Sequence, residues 1–309
     1  MILLCGIPSE PPLVLVAGAL EQLGAPYVLL NQRRFADTAM AFEIADATLT
    51  GWMEIDGEGY PLQAIEAVYT RLMDFRMLPE LRDVPETSEP WQHCSALHDV
   101  LTRWSEICPA RVVNRVASMG SNSSKPYQAQ LIRRHGFEVP DTLVTGDPDR
   151  VLDFRARHGR IIYKSSSGIR SIVRPFEDED VERLPAVRWC PTQFQEYIEG
   201  TDVRVHVVGK EVFPTRIESS ATDYRYAQSE VGEAARLVPT ELPDLVAESC
   251  VRMTEALGLA FAGIDLKLRP DGRVYCFEVN PCPGFSYYEA NTGQPIAMAV
   301  ARHLAGRTQ

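Results

Sequence analysis

The sequence predicts a mixed α/β (α+β) protein with more than one lobe, and three observations support this fold class. The first segments, MILLCGIP, LVLVAGALEQLG and PYVLLNQ, read as strand, helix and strand, which is the start of a parallel α/β unit. From about Arg160 onward, the residue patterns are mainly those of strands. The chain has 309 residues, more than one hydrophobic core usually holds, so we expect two or three lobes.

The first lobe continues with two apolar segments, ATLTGWMEI and YPLQAIEAVYTRL, separated by a glycine-rich turn at residues 56–59. A helix is predicted from about Glu89 to Ile107, because Pro109 follows, and VVNR then returns to a short strand. These elements define a first domain of residues 1–115.

A polar segment rich in small residues, ASMGSNSSKPYQAQLIRRHG, follows this domain and leads into a helix with Pro126 in its first turn. The strands predicted after it are VPDTLVT, RIIYKSSS, SIVRPF, QFQEYI, DVRVHVVG and EVFPTRIES. Two more helices are predicted, from about Leu242 to Leu257 and from about Pro295 to Leu304. We divide this part of the chain into residues 116–195 and 196–309.

Composition and charge exclude several classes of function. The formal net charge is -11, so a wide basic surface for nucleic acid is not expected. The longest apolar stretch, PPLVLVAGAL, is too short to span a bilayer, and residues 1–7 lack the positive charge of a signal peptide. Seven cysteines without a CxxC motif are typical of reduced thiols. We therefore expect a cytoplasmic protein that binds neither nucleic acid nor membranes.

The segment FAGIDLKLRPDGRVYCFEVNPCPGF holds the most informative group of polar residues. Its two alternating runs flank an Asp-Gly dipeptide at residues 271–272, which is a two-residue hairpin signal. If this dipeptide forms the turn, Asp265 lies directly opposite Glu278, and Gly263 lies opposite Asn280. The same register pairs Pro270 with Arg273, Leu268 with Tyr275 and Leu266 with Phe277, and its core face holds Ile264, Leu266, Leu268, Tyr275, Phe277 and Val279.

Two like charges directly across a strand pair repel each other unless a cation neutralises them. Asp265, Glu278 and Asn280 offer only oxygen ligands, which favour Mg²⁺ or Mn²⁺ over zinc. The alternative is that Lys267, on the same face, neutralises one carboxylate on an ordinary solvated strand.

Two lysines lie in segments suited to phosphate groups. Lys164 ends an apolar strand and precedes a small-residue loop with Ser166 and Gly168, whose N–H and hydroxyl groups can approach phosphate oxygens. Lys125 lies just before a helix in a similar context. Each position is also compatible with a plain surface turn.

The segment QFQEYIEGTDVRVHVVG carries further polar groups. The backbone of Glu196, Tyr197 and Ile198 can offer hydrogen bonds to a purine, and Asp202 can accept them from ribose hydroxyl groups. Arg204 alternates with Asp202 along the strand, so both side chains point to the same face.

Other arginines are candidates for binding anions. Arg216 and Arg225 suit phosphate oxygens or a substrate carboxylate. Arg71, in VYTRL at the end of a strand of the first domain, is a further cation, and a salt-bridged strand end is its alternative. For any one arginine, a solvated surface position is the alternative. Cys282 lies between two prolines, where a structural role is simpler than a catalytic one.

Taken in order, these features resemble the ATP-grasp superfamily of carboxylate-amine ligases, and within it the RimK-like enzymes. The likeness is carried by QEYIEGTDVRVHVVG, GIDL and FEVNPCPGF, and it covers the chain from about Asn114 to its end. Further segments are similar to the microviridin-type (graspetide) peptide maturases, namely VVNR, SKPYQAQL, VPDTLVT, Asp223-Tyr224-Arg225 and TGQPIAMAVARHL. The resemblance implies an ATP-grasp fold with an N-terminal Rossmann-like pre-ATP-grasp domain.

The resemblance also implies a role for each candidate residue. The nucleotide would be bound by Lys125, Lys164, Ser166, Gly168, Glu196, Tyr197, Ile198 and Asp202. Two Mg²⁺ ions, or Mn²⁺ in their place, would be ligated by Asp265, Glu278 and Asn280. Arg204 and Arg216 would steady the transferring phosphoryl group. Arg225 is a candidate for the acceptor side, and Arg71 would face the cleft and bind a substrate carboxylate.

The implied reaction is an ATP-dependent ligation through an acyl phosphate, with release of ADP and phosphate. The substrate is either a precursor peptide, whose acidic side chains are joined to an amine or hydroxyl group, or a free amino acid or small metabolite. A module that binds ATP without ligating anything is the third reading, which the complete metal-binding set disfavours. Apolar stretches such as WMEI are candidates for a homodimer contact.

Overall fold

The computed structural model describes residues 1–165, 173–219 and 232–307. The chain opens with β1 (Ile2–Gly6), α1 (Pro11–Gln22) and β2 (Tyr27–Asn31), as the sequence predicts. With β6 (Ala67–Thr70) and β7 (Arg111–Val113), these strands form a parallel sheet of order β2-β1-β6-β7. Helix α2 (Glu89–Ile107) has the predicted bounds.

Each face of this sheet is covered by a different helix. Leu4 clusters with Leu13 of α1, whereas Leu3, one residue earlier, clusters with Trp104 of α2. Because successive strand residues point to opposite faces, a strand covered on both sides is apolar throughout. This explains the run ILLC at the start of the chain.

A second, antiparallel sheet lies within the same part of the chain. It consists of β3 (Thr38–Ala45), β4 (Thr48–Ile55) and β5 (Glu58–Pro61). The predicted glycine-rich turn joins β4 to β5, and both Asp56 (φ 54°) and Gly57 (φ 83°) adopt left-handed backbone conformations there.

The third sheet contains the strand that carries Lys164. Helices α3 (Val116–Met119), α4 (Lys125–Arg133) and α5 (Pro148–His158) belong to this part of the chain. Its strands are β8 (Thr142–Thr145), β9 (Ile161–Ser165), β10 (Arg174–Pro175) and β11 (Thr192–Glu196), in the antiparallel order β10-β9-β11-β8. Phe154, Phe176 and Phe194 fill its core.

The fourth sheet carries the predicted metal ligands. It is antiparallel, with strands β12 (Thr201–Val208), β13 (Glu211–Glu218), β14 (Arg236–Pro239), β15 (Phe261–Leu268) and β16 (Val274–Asn280) in the order β14-β13-β12-β15-β16. The remaining helices are α6 (Asp244–Ala256), α7 (Ser286–Thr292) and α8 (Ile296–Leu304). Short 3-10 helices span Gln32–Asp37, Leu62–Ala64, Phe75–Met77, Pro79–Leu81, Gly120–Ser123 and Asp178–Arg188.

The two faces of the fourth sheet belong to different cores. Val205 packs with Ile132 of α4 and Met253 of α6. On the other face, Phe213 shares a cluster with Val300 of α8 and with residues of α1. One apolar core therefore connects the first sheet and the fourth.

The β15–β16 hairpin confirms the predicted pairing of Asp265 with Glu278 and of Gly263 with Asn280. The predicted register toward the turn is wrong, because Leu268 pairs with Val274 and the loop has three residues, 270–272. A bulge opposite Asp265 and Leu266 offsets this shift by one residue. Instead of Phe277, which is partly exposed, Cys276 takes the core position and is 1% exposed.

With the proposed division at residues 115 and 195, the first segment holds the first two sheets, the second segment the third sheet and the last segment the fourth sheet. The exception is Glu196, the last residue of β11, which falls in the last segment. The division itself stays a prediction. Within the described ranges, no helix is long and apolar enough to cross a membrane. The seven cysteines form no disulfide bond.

Candidate active site

The paired carboxylates of the hairpin each lie against a cation from another element. Arg204 of β12 donates to Asp265 Oδ1 at 2.6 Å, and Lys125 at the start of α4 donates to Glu278 Oε1. Lys267, the neutralising residue of the alternative reading, instead lies 3.2 Å from Asp202 Oδ1. The two like charges are therefore compensated by residues distant in sequence.

Arg204 reaches Asp265 because the neighbouring strand carries a glycine. A Cβ atom at Gly263 would lie 2.7 Å from Arg204 Cζ and 2.7 Å from Pro283 Cβ. The Arg204 side chain is only 8% exposed, and its guanidinium group lies 5.7 Å from the ring centre of Tyr288. Loss of the Asp265 carboxylate would leave this buried guanidinium charge without that ion pair, which is energetically costly.

The third predicted metal ligand lies at the end of β16. Asn280 Oδ1 accepts a hydrogen bond from the Cys282 N–H group at 2.9 Å, which orients the amide at the start of the following loop. Asp265, Glu278 and Asn280 share one face of the hairpin, since Asp265 pairs with Glu278 and Gly263 with Asn280. Two carboxylates and one amide are hard oxygen donors, so this set fits Mg²⁺.

Of the predicted nucleotide-binding residues, Lys164 and Glu196 lie on the third sheet, and Tyr197, Ile198 and Asp202 lie at its junction with the fourth. Lys164 is on β9, and its register partner on β11 is Gln193. The N–H groups of Glu196 and Tyr197 donate to backbone carbonyl groups at 3.0 and 3.1 Å. In the described part of the chain, the Ile198 N–H group donates to no backbone carbonyl, so it stays a candidate for a purine.

Tyr197 and Asp202 are held by cations at this junction. The Arg160 guanidinium group lies 3.8 Å from the ring centre of Tyr197, and Lys267 Nζ lies 5.6 Å from it. Because Lys267 also pairs with Asp202, one lysine connects the predicted adenine and ribose positions. Ser166, Gly168 and Arg225 lie outside the described residues.

Arg216 is not brought to the carboxylate cluster. Arg216 pairs in register with Val203, on the opposite face of the sheet from Arg204, and its guanidinium group lies 2.6 Å from Glu218. Its predicted role in holding the phosphoryl group therefore has no geometric support from these contacts, because neighbouring residues of a strand point to opposite faces.

Arg71 lies at the end of the first sheet with a carboxylate already bound. Glu10 Oε1 accepts from Arg71 Nε at 2.8 Å and from Nη2 at 2.5 Å, and Pro283 O accepts from Nη1 at 3.2 Å. Burial opposes the charge, but the hydrogen bond to Glu10 raises the pKa of Arg71 above its usual value. These are the contacts of a salt-bridged strand end, and the predicted role in binding a substrate carboxylate stays a prediction.

Sequence reasoning missed two buried polar residues that adjoin the cluster. Gln128 of α4 is 1% exposed and bonds the backbone of Val279, between Glu278 and Asn280. Asn114 is 4% exposed and bonds the backbone near Phe261 and Pro281. Gln128 is four residues before the apolar Ile132, so the two side chains lie on the same face of α4. A polar residue on the apolar face of a predicted helix could therefore have indicated a buried hydrogen-bonding role.

Residues 122–304 match the RimK-like ATP-grasp domain. This chain belongs to the RimK-like ATP-grasp family. It is an ATP-grasp ligase, and enzymes of this kind use ATP and Mg²⁺. The fold class expected from the sequence is confirmed.

Curated relatives match about two thirds of the chain. A probable alpha-L-glutamate ligase of Xanthomonas oryzae pv. oryzae is 28% identical over 215 residues, 62% of this chain and 72% of that protein. Beta-citrylglutamate synthase B of Danio rerio is 27% identical over 224 residues, 69% of this chain and 54% of that protein. Both are named as ligases or synthases of glutamate compounds.

Solved structures match over the whole chain. One is the ATP-grasp ligase PsnB, complexed with a phosphomimetic variant of a minimal precursor, Mg and ADP. Its TM-score is 0.77 at 27% identity, and the match covers 100% of this chain and 98% of that one. A RiPP-associated ATP-grasp ligase of Chryseobacterium gregarium, in complex with ADP and a leader and core peptide, has a TM-score of 0.84 and 20% identity, with 100% and 97% covered.

Proposed function

We propose that this protein ligates acidic side chains of a precursor peptide to amine or hydroxyl groups, with ATP as the energy source. The supporting observation is the likeness to PsnB, which binds a precursor peptide and aligns over the whole chain with 27% identity and a TM-score of 0.77. The first sheet and the β3–β5 sheet are thus part of the likeness to a peptide ligase.

The reaction proceeds in two steps. A substrate carboxylate oxygen attacks the γ-phosphorus of ATP, the bond from that phosphorus to the bridging oxygen breaks, and ADP leaves. The acceptor nitrogen or oxygen then attacks the acyl carbon and loses its proton, and inorganic phosphate leaves. No protein nucleophile is required, because catalysis depends on position and on charge stabilisation.

The hairpin residues hold the metal in this proposal. Asp265, Glu278 and Asn280 would hold two Mg²⁺ ions, or Mn²⁺ in their place, and the chemistry that the metal would supply is neutralisation of charge on the phosphate oxygens. Lys125 and Arg204 already lie at the two carboxylates. With metal bound at Glu278 and Asp265, Lys125 and Arg204 would be able to donate to phosphate oxygens instead of to these carboxylates.

The remaining roles are those that the sequence predicts. Lys164 binds phosphate, the backbone of Glu196, Tyr197 and Ile198 binds adenine, and Asp202 binds ribose. Ser166 and Gly168 complete the phosphate site, and Arg225 binds the acceptor side. We retain the division at residues 115 and 195, a cytoplasmic location and a homodimer as further parts of the proposal; Trp52 of the WMEI stretch is 48% exposed on β4.

A free amino acid substrate is the second candidate. Its support is the naming of relatives as glutamate ligases and as a beta-citrylglutamate synthase. A binding module without catalysis has weaker support, because a protein that only senses ATP needs no metal-binding pair of carboxylates.

Product analysis tests the proposal. We would incubate the protein with ATP and Mg²⁺, adding either short peptides that contain Asp, Glu, Lys and Ser or a mixture of free amino acids. ADP and phosphate in equal amounts, with loss of one water from the peptide mass for each bond, are expected with the peptides. Release only with free amino acids would favour the second candidate, and AMP as product would exclude the acyl phosphate.

The Glu278→Gln variant tests the metal assignment. It removes one carboxylate charge from the paired set while keeping the side chain's size. We expect loss of most ADP release, as for other groups that stabilise charge in a transition state. Undiminished turnover would refute the assignment of Glu278 as a metal ligand.

A further inference from the structure

Gln128 connects α4 to the edge of the fourth sheet. Its Nε2 atom donates to Val279 O at 2.8 Å, and its Oε1 atom accepts from the Val279 N–H group at 3.0 Å. β16 is the last strand of its sheet, so these backbone groups of Val279 point away from β15. The amide of Gln128 thus satisfies an edge position that would otherwise be buried without a partner.

The same face of α4 carries a second contact to β16. Lys125 is three residues before Gln128, a spacing that places both side chains on one face of a helix. Lys125 contacts Glu278, and Gln128 contacts Val279, the next residue of the strand. The two contacts therefore join the same pair of elements at neighbouring positions.

We propose that Gln128 is a positioning residue that sets the placement of Lys125 relative to the predicted metal ligand Glu278. This inference rests on the proposed nucleotide role of Lys125. By binding the backbone rather than a side chain, Gln128 fixes α4 against β16 without competing for the carboxylates. The position of α4 against β16 would then not depend on the contact between Lys125 and Glu278, which bound metal and nucleotide would replace.

A separate backbone contact attaches the chain that follows α4, at Glu138, to β16. The Glu138 N–H group donates to Val274 O at 3.0 Å, and the Cys276 N–H group donates to Glu138 O at 2.9 Å. These bonds depend on the backbone alone, so they persist in variants of Gln128. Loss of the Gln128 contact should therefore let the start of α4 shift while the segment remains attached.

The test measures ADP affinity, by calorimetry in the presence of Mg²⁺, rather than turnover. Gln128→Met keeps the length of the side chain but removes both hydrogen bonds. We expect the Kd for ADP to rise about tenfold. This is the smallest effect usual for residues that orient a binding group through hydrogen bonds without contacting the ligand. Gln130→Met is the matched control, because Gln130 is exposed on the same helix.

A stability control separates positioning from general weakening. Ile132→Val trims the core face of α4, where Ile132 is 1% exposed, and leaves the Gln128 contact intact. It should lower the Tm without changing the Kd for ADP. If Ile132→Val raised the Kd as much as Gln128→Met does, a specific role for Gln128 would be refuted.

A double-mutant cycle with Lys125→Met decides how Gln128 acts. If Gln128 acts through Lys125, Gln128→Met raises the Kd in the wild-type background but has little further effect in the Lys125→Met background. Equal increases in the Kd for ADP in both backgrounds would overturn the inference. A wild-type Kd for Gln128→Met, with an increased Kd for Lys125→Met, would overturn it as well. A wild-type Kd for Lys125→Met would instead overturn the proposed role of Lys125, and this inference with it.

Discussion

Gly263 lies directly against the guanidinium group of Arg204, on the strand next to it. A Cβ atom at position 263 would lie 2.7 Å from Arg204 Cζ, closer than side-chain atoms approach one another. The absence of a side chain on β15 is what lets Arg204 reach Asp265. The glycine of the GIDL segment therefore provides the space that the Arg204 side chain occupies.

Gly263→Ala should displace Arg204 and disrupt its ion pair with Asp265. We expect ADP release to fall by about 100-fold, as when one charge-stabilising donor is removed from an active site, and the Tm to fall as well. Gly284→Ala is the matched control, because no atom lies within 4 Å of a Cβ there. Wild-type turnover in Gly263→Ala would contradict the importance of the Arg204 position.

Lys125→Met should have opposite effects on metal binding with and without nucleotide. In the protein alone, it removes a cation that competes for Glu278, so Mn²⁺ affinity should rise about fivefold, equivalent to roughly 1 kcal/mol for a partly exposed ion pair. In the presence of ADP, the lost phosphate contact should weaken Mn²⁺ binding instead. Mn²⁺ titration followed by electron paramagnetic resonance measures both, and a decrease in both conditions would contradict the competition.

Asn114→Ala should strongly destabilise the protein. The Asn114 side chain donates to Phe261 O and Pro281 O, both at 2.6 Å, and accepts from the Ala260 N–H group at 2.7 Å. These bonds join the end of β7 to β15 and to the loop after β16. Because buried groups would lose their partners, we expect a loss of about 3 to 5 kcal/mol, measured by urea unfolding.

Asn291→Ala provides the control for that measurement. Asn291 is exposed on α7 and donates to Tyr287 O at 2.7 Å. A surface substitution of this kind should change the free energy of unfolding by less than about 0.5 kcal/mol. Similar losses in both variants would contradict a special role for Asn114.

The stability of the protein should fall at acidic pH through His206. Burial, with a smaller contribution from the Arg204 charge, lowers the pKa of His206 well below its usual value. The unfolded chain therefore binds a proton below about pH 6.5 that the folded chain excludes, and stability falls by up to about 1.4 kcal/mol per pH unit. Burial lowers the pKa values of His98 and His303 as well, so they add to the same trend.

His206→Leu isolates the contribution of His206 to the pH dependence. Among the described residues, neither ring nitrogen of His206 has a hydrogen-bond partner, so the variant loses no such bond. Urea unfolding at pH 8 and pH 5.5 should show a smaller loss of stability in the variant than in the wild type. An unchanged difference between the two pH values would contradict this assignment.

Strand alternation and a turn signal gave the correct pairing of Asp265 with Glu278, but through a register that is wrong near the turn. The turn itself was predicted one residue too short, and a bulge at Phe277 restored the register beyond it. Both features depend on backbone conformation, which Pro270 and Gly272 permit but do not specify. The predicted and observed pairing of the carboxylates thus agree because the longer turn and the bulge shift the register by one residue in opposite directions.

The sequence by itself indicated the ATP-grasp fold, through its resemblance to that superfamily, and it determined the helix over Glu89–Ile107 through periodicity and the proline that follows. Only the tertiary structure decided which cation meets each carboxylate, that Arg216 lies on the opposite face, and that Glu10 already binds Arg71. Gln128 and Val279 are 151 residues apart in sequence. Contacts of that range depend on how sheets and helices pack together, and no local pattern of residues encodes that packing.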